Sequence, residues 1–287
     1  MATLEIWTTL KLLAWTKDFL HSKGIANARL EAEWLLCAAT GLDRVGLYLQ
    51  YDKPLNESEL AAYRAMVTRR GRREPLQHIL GSQEFCGLDF IVTQDTLIPR
   101  YDTELLVTES INRQPDARSV LDIGTGSGCI AVSLKKRLPL ASVTATDISD
   151  AALAVARSNA SQHVSSIEFL LGSLFAPVAD RRFDLIVSNP PYIPTADIES
   201  LDQEVRDYDP RTALDGGSDG LDIYRSLIPA AVEHLNTFGW LLVEVGVGQA
   251  IDVVRMFRQT GRYDEPFIAV DPGGVDRVVG AQLKEIL

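Results

Sequence analysis

The sequence predicts an α/β fold: a mainly parallel seven-stranded sheet with its last strand antiparallel, preceded by a small helical bundle and a β-hairpin linker. Three observations predict it. Up to about residue 74 the apolar residues recur at helical spacing. From Tyr101 onward, short runs rich in β-branched residues alternate with helical stretches, the pattern of a parallel sheet covered on both faces. The last two strand-like runs are separated only by Asp271-Pro272-Gly273-Gly274, too few residues for a crossover.

The first segment, residues 1–74, reads as the bundle. Ile6, Leu10, Leu13 and Phe19 mark one helix; Leu30, Trp34 and Leu35-Leu36-Cys37 mark a second, closed by Gly41. A short helix is expected over Val45–Gln50. A longer one starts at Asn56, a capping residue followed by the acidic first-turn residues Glu57 and Glu59. No catalytic group stands out here, so recognition or support is the expected role. The run Arg69-Arg70-Gly71-Arg72-Arg73 reads as a solvated helix end whose positive charge suits the dipole. Contact with an acidic or RNA-bearing partner is the alternative.

Residues 75–100 form the linker, with a hairpin over Glu84–Val92 around Gly87. In 101–287 the expected strands are Ser119–Ile123, Ser142–Asp147, Ile167–Leu171, Phe183–Ser188, Gly239–Val245, Phe267–Val270 and Val275–Ala281.

Of the 287 residues, 46% are apolar, enough for a sizeable core, and the net charge of −11 argues against a broad phosphate-binding surface. Cys37, Cys86 and Cys129 are isolated, which together with the lack of a signal peptide points to a reducing, cytoplasmic location. No apolar run approaches the roughly 18–20 residues of a membrane span. His21, His78, His163 and His234 are scattered, so no metal site is expected.

Val120–Ile123 runs into Gly124-Thr125-Gly126-Ser127-Gly128 and then a helix, with Asp147 closing the next strand. Glycines let the backbone turn tightly and approach a ligand, and a carboxylate about 20 residues on suits ribose hydroxyls. These features predict an adenosine-type cofactor. The spacing is shorter than the dinucleotide fingerprint, and Asp122 precedes the first glycine. An acid beside the loop suits a cationic, amino-acid-bearing ligand better than a pyrophosphate, which favours S-adenosylmethionine, with S-adenosylhomocysteine as product.

The strand Phe183–Val187 ends at Ser188-Asn189-Pro190-Pro191-Tyr192. Two prolines make the loop stiff, and in an open parallel sheet it shares a crevice with the glycine loop. A planar amide or aniline-like nitrogen is a poor nucleophile. The Asn189 side-chain oxygen and the Pro190 carbonyl could accept its two N–H groups and aim its lone pair, while Tyr192 offers a ring to stack on. Such positioning needs no strong base, and none stands in the motif. Glu244, after the fifth strand, has two readings, a contact to the substrate or a cap on the sheet edge, and the cap is preferred.

These residues resemble the HemK/PrmC family, the peptide chain release factor glutamine methyltransferases. The likeness spans essentially the whole chain. It includes Glu31-Ala32-Glu33 with Leu35-Leu36, Pro75-Leu76-Gln77-His78-Ile79-Leu80-Gly81 with Glu84-Phe85, and Leu97-Ile98-Pro99-Arg100. Asp122–Gly128, Asn189–Ile193, and Ala213-Leu214-Asp215-Gly216-Gly217 with Asp219-Gly220-Leu221 complete it. Asn-Pro-Pro-Tyr alone is shared with DNA adenine and ribosomal RNA methyltransferases; the combination is specific.

The resemblance implies a Rossmann-like class I methyltransferase domain over 101–287 and a substrate-recognising bundle. It also implies methylation of the glutamine in the Gly-Gly-Gln tip of class 1 release factors. Gly124, Thr125, Gly126, Ser127, Gly128 and Asp147 would hold the cofactor with Ser173, Leu174 and Asn189; Asn189, Pro190, Pro191 and Tyr192 would bind the glutamine. Two positions depart from the family: Tyr101 replaces a common proline, and Ser173 stands where many members place an aspartate near the adenine. The expected protein is a monomer with no membrane or direct nucleic-acid contact. Alternative readings are a glutamine methyltransferase acting on a ribosomal protein, a nucleic-acid amino methyltransferase reusing the same loop on a flipped base, and a non-catalytic module that only holds the cofactor.

Overall fold

The computed structural model describes residues 7–285, so Ile6 lies outside the described residues. The chain divides into two compact units, one formed by Met1–Gly81 with Gln203–Tyr208, the other by Ser82–Asp202 with Asp209–Leu287. The first therefore takes back a short segment from late in the chain.

In the first unit, α1 (Thr9–Ser22), α2 (Ala28–Thr40), α3 (Arg44–Leu49), α4 (Glu57–Gly71) and α5 (Leu76–Leu80) enclose a core of Leu12, Leu20, Leu35, Leu36, Leu47 and Tyr63. Gly41 closes α2 at φ 71°, a left-handed cap that glycine adopts without strain. Asn56 and Glu59 form a reciprocal capping box at the start of α4. The arginine run departs from expectation. Arg70 is only 2% exposed; its guanidinium donates to Glu31 Oε2 (2.5 Å), Glu204 Oε1 (2.9 Å) and the Glu74 carbonyl (3.1 Å). Arg73 also pairs with Glu204 at 2.9 Å, and Arg69 with Glu74. Two carboxylates from elsewhere in this unit turn the helix end inward, because a buried guanidinium holds only when its donors are met.

The second unit opens with a hairpin, β1 (Ser82–Phe85) and β2 (Leu88–Ile91), whose two-residue turn Cys86-Gly87 has both φ positive. There follow α6 (Glu104–Arg113), β3 (Ser119–Ile123), α7 (Cys129–Arg137), β4 (Ser142–Asp147), α8 (Asp150–Gln162), β5 (Ile167–Leu171) and β6 (Phe183–Ser188). After α9 (Gln203–Tyr208) of the first unit, α10 (Arg211–Leu214), α11 (Asp222–His234), β7 (Leu235–Glu244), α12 (Ala250–Thr260), β8 (Phe267–Val270) and β9 (Asp276–Gln282) complete the chain.

Strand order is β5-β4-β3-β6-β7-β9-β8. β3 to β7 are parallel, and β9 lies antiparallel to both β7 and β8. Alternation along the strands builds two cores. Leu121, Ile123, Ile186, Leu241 and Val243 face α11 and α12; Val120, Leu185, Val187 and Leu242 face α6 and α7.

β7 begins four residues before the expected Gly239, through a bulge opposite Phe183–Leu185. Because β9 inserts beside it, β7 is an interior strand. Glu244 at its end is buried and does not cap an edge.

Candidate active site

The order of connections reverses between β3 and β6, since the chain leaves β3 for β4 on one side and returns to β6 on the other. Ligands of open α/β sheets bind beyond the strand ends at such a point. A cavity of about 570 Å³ lies there, within the roughly 300–1,000 Å³ that suits drug-sized ligands. Its wall is drawn from the loops after β3, β4, β5 and β6 and from the turn before α6.

The loop after β3 contributes Gly124, Thr125, Gly126 and Ser127. Gly124 and Gly126 have φ of 73° and 54°, and a methyl group added to either would meet nothing within 4 Å. The positive φ and the open space in front of them suit close approach of a ligand. Gly128 has a different duty: a Cβ there would come to 3.0 Å from that of Ala156, so it lets α7 and α8 pack and does not line the cavity.

The amides of Gly124 and Thr125 both donate to the Thr146 carbonyl, at 2.9 and 3.0 Å, and that of Gly126 donates to Asp147 Oδ2 at 2.9 Å. A pyrophosphate would need those N–H groups. The loop is instead held to β4, its open face available to a ligand bound through other groups.

Asp147 stands in the wall. Its carboxylate accepts from Gly126 and Ser149, which leaves two of its roughly four acceptor positions for a pair of vicinal hydroxyls. Ser173 and Leu174 also line the cavity, brought there by the turn after β5. Asp122 does not. It lies buried beneath the loop, where Oδ2 accepts from the Thr125 hydroxyl at 2.6 Å and Oδ1 makes no hydrogen bond of good geometry among the described residues. Burial pushes its carboxyl up to about 7, the Thr125 hydroxyl opposing. Its expected role beside a cationic ligand therefore becomes support of the loop. Asn159 on α8 adds a clamp, donating to the carbonyls of Ser127 (2.9 Å) and Ile91 (3.0 Å) and accepting from Ile91 N–H (2.7 Å).

Asn189, Pro190 and Pro191 line the same cavity. Asn189 Nδ2 donates to Thr103 Oγ1 at 3.2 Å, which fixes the amide with its oxygen left as acceptor. Tyr192 is not in the wall. It packs half-buried against the core, and its hydroxyl donates to Glu244 Oε1 at 3.3 Å while its carbonyl accepts from Gln249. The glycine loop, Asp147, Ser173, Leu174 and Asn189–Pro191 are thus brought together, and Gly128 and Tyr192 stand behind them.

Residues 11–81 match the family model described as the PrmC N-terminal domain, and 101–204 that of the methyltransferase small domain. A protein of Geobacter sulfurreducens named release factor glutamine methyltransferase is 61% identical over 279 residues, covering 97% of this chain and 98% of its own length. The chain belongs to the release factor glutamine methyltransferases.

A second member of that family, from Rhodopirellula baltica, is 40% identical over 96% of both chains. Among solved structures, a methyltransferase from Pyrococcus furiosus superposes with a TM-score of 0.55 at 22% identity, over 70% of this chain and 91% of its own, a likeness of fold. The expected class I methyltransferase architecture is borne out. Arg100 and Thr103, which line the cavity, carry no assigned role in the sequence reading, and for Glu244, bound by Tyr192, the preferred role there is that of an edge cap. Thr103 lies in the segment after Arg100 that the family resemblance covers, but the resemblance gives it no role; the turn Tyr101–Thr103 before α6 delivers it to the cavity.

Proposed function

We propose that this chain transfers the methyl group of S-adenosylmethionine to the side-chain amide nitrogen of the glutamine in the Gly-Gly-Gln motif of class 1 peptide chain release factors, modulating translation termination. The acting species in this reading is a cytoplasmic monomer that touches neither membrane nor nucleic acid. Among the described residues no helix is long and apolar enough to cross a membrane, and none form a metal-ligating cluster.

The observation that carries the reading is Asn189 in one cavity wall with Gly124–Ser127 and Asp147, its nitrogen held by Thr103 and its oxygen left to accept. S-adenosylmethionine suits the residues present: Asp147 for ribose hydroxyls, the open glycine backbone for its amino-acid end, Ser173 and Leu174 for adenine. When bound it supplies an electrophilic methyl group on a sulfonium. The protein's part is to hold the amide. Asn189 Oδ1 and the Pro190 carbonyl accept its two N–H groups, which raises electron density on nitrogen and orients the lone pair. Pro190 and Pro191 keep those acceptors rigid. Tyr192, through its hydroxyl, anchors the loop from behind. Transfer would break the sulfonium S–CH3 bond and leave S-adenosylhomocysteine. The N–H that is lost would be one of the two held by Asn189 Oδ1 and the Pro190 carbonyl, and since neither oxygen is basic enough to keep the proton it would pass on to solvent.

The test is tandem mass spectrometry of release factor after incubation with enzyme and S-adenosylmethionine. One added methyl group on the glutamine of Gly-Gly-Gln is expected; methylation confined to other residues overturns the assignment. Asp147→Ala is expected to weaken S-adenosylmethionine binding by about 1.5–3 kcal/mol, the range for hydrogen bonds to a charged group. Isothermal titration showing unchanged affinity would remove Asp147 from the ribose.

A further inference from the structure

The pairing of Ser188 with Val243 puts the next residues, Asn189 and Glu244, at adjacent strand ends. Glu244 is 2% exposed, yet its contacts are few: Oε1 accepts from the Tyr192 hydroxyl, and Oε2 makes no hydrogen bond of good geometry among the described residues. Thr103 Oγ1 accepts the Asn189 amide at 3.2 Å. The same hydroxyl is within reach of the Glu244 carboxylate and favours its charged form, although no hydrogen bond of good geometry joins the two here. A hydroxyl has one proton to give. If Thr103 points it at a carboxylate, its oxygen can only accept from Asn189, so the amide presents N–H to Thr103 and its oxygen to the cavity.

We propose that Glu244 is a positioning residue, which sets the direction of the Glu244–Thr103–Asn189 network and anchors Tyr192, so that Asn189 meets the substrate amide as an acceptor. The inference rests on the methyl-transfer reading of this site. A buried acid retained at an interior strand end has a reason to be there if it polarises a network. The titratable and charged groups facing it are Tyr192 from the loop after β6, Asp102 from the turn before α6, Arg277 from β9 and Tyr224 from α11, whose hydroxyl binds the Glu244 carbonyl. Burial pushes the Glu244 carboxyl up to about 7, against the Thr103 and Tyr192 hydroxyls and the charge of Arg277. Protonation would let it donate, and the direction would be lost.

The experiment measures kcat, KM for release factor and S-adenosylmethionine affinity for Glu244→Gln, Thr103→Val, Thr103→Ser and Asn189→Ala. Glu244→Gln and Thr103→Val should each lower kcat by about tenfold to a hundredfold with both binding constants nearly unchanged, as for a misplaced catalytic group. Thr103→Ser should restore most of the rate that Thr103→Val loses. At saturating cofactor, the wild-type rate should fall as pH drops through about 7, and the Glu244→Gln profile should lack that limb. Asp122 titrates in both proteins, so the difference between the profiles is what counts. If Asn189→Ala is inactive while Glu244→Gln and Thr103→Val keep kcat within about twofold, the inference fails and the site reading stands. Losses in Glu244→Gln matched by equal losses of cofactor affinity and thermal stability would also overturn it. An active Asn189→Ala would instead overturn the site reading itself.

Discussion

Replacing Asn189 by alanine is expected to reduce methyl transfer by about a hundredfold to a thousandfold, the usual cost of losing one preorganised hydrogen-bonding group. S-adenosylmethionine affinity should change little, because in the proposed reading the cofactor is held through Gly124–Ser127, Asp147, Ser173 and Leu174, which line the cavity apart from Asn189. Asn189→Asp is instructive as a companion. It keeps an acceptor oxygen but cannot donate to Thr103, and it adds a charge beside the buried Glu244. It should therefore fail to rescue the alanine variant. Single-turnover rates with isothermal titration of the cofactor check both; a fast Asn189→Ala enzyme would contradict the role given to the amide.

The second large effect concerns stability. Arg70→Met should destabilise the helical unit by about 3 kcal/mol, the low end for breaking a buried ion pair, since Glu204 keeps Arg73 and stays partly exposed. Removing the guanidinium leaves Glu31 without its 2.5 Å partner and the Glu74 carbonyl without its donor. Trp7, Trp15 and Trp34 lie in this unit and only Trp240 in the other, so tryptophan fluorescence during denaturant unfolding reports mainly on it. A lower midpoint is expected. An unchanged midpoint would return the arginine run to a solvated helix end.

Much of the fold was legible because punctuation and periodicity agree. Ser119–Ile123 and Phe183–Ser188 are apolar runs cut off by glycine and by a proline pair, and both strands end where those residues fall. The Asn56 capping box could be read three residues at a time. What stayed hidden depends on contacts distant in sequence. Arg70 is buried by Glu31 and Glu204, 39 and 134 positions away, and nothing local distinguishes it from Arg69 or Arg72. Glu244 looked peripheral because the insertion of β9 between β7 and β8 is a matter of strand order, which periodicity does not encode. At the site, the glycine loop and Asn189 carried their own signals. Thr103 sat in a family segment that said nothing of what the threonine does, and Tyr192 proved to bind Glu244 through its hydroxyl and Gln249 through its carbonyl.

The acceptor proposed for this enzyme is a release-factor glutamine. Transfer of radioactive methyl from S-adenosylmethionine tests it most directly, with purified release factor, its Gly-Gly-Gln→Gly-Gly-Ala variant and ribosomes offered side by side. Label on the wild-type factor alone is the expected result. Label on ribosomes, with none on the factor, would contradict it and move the activity to a ribosomal protein or RNA.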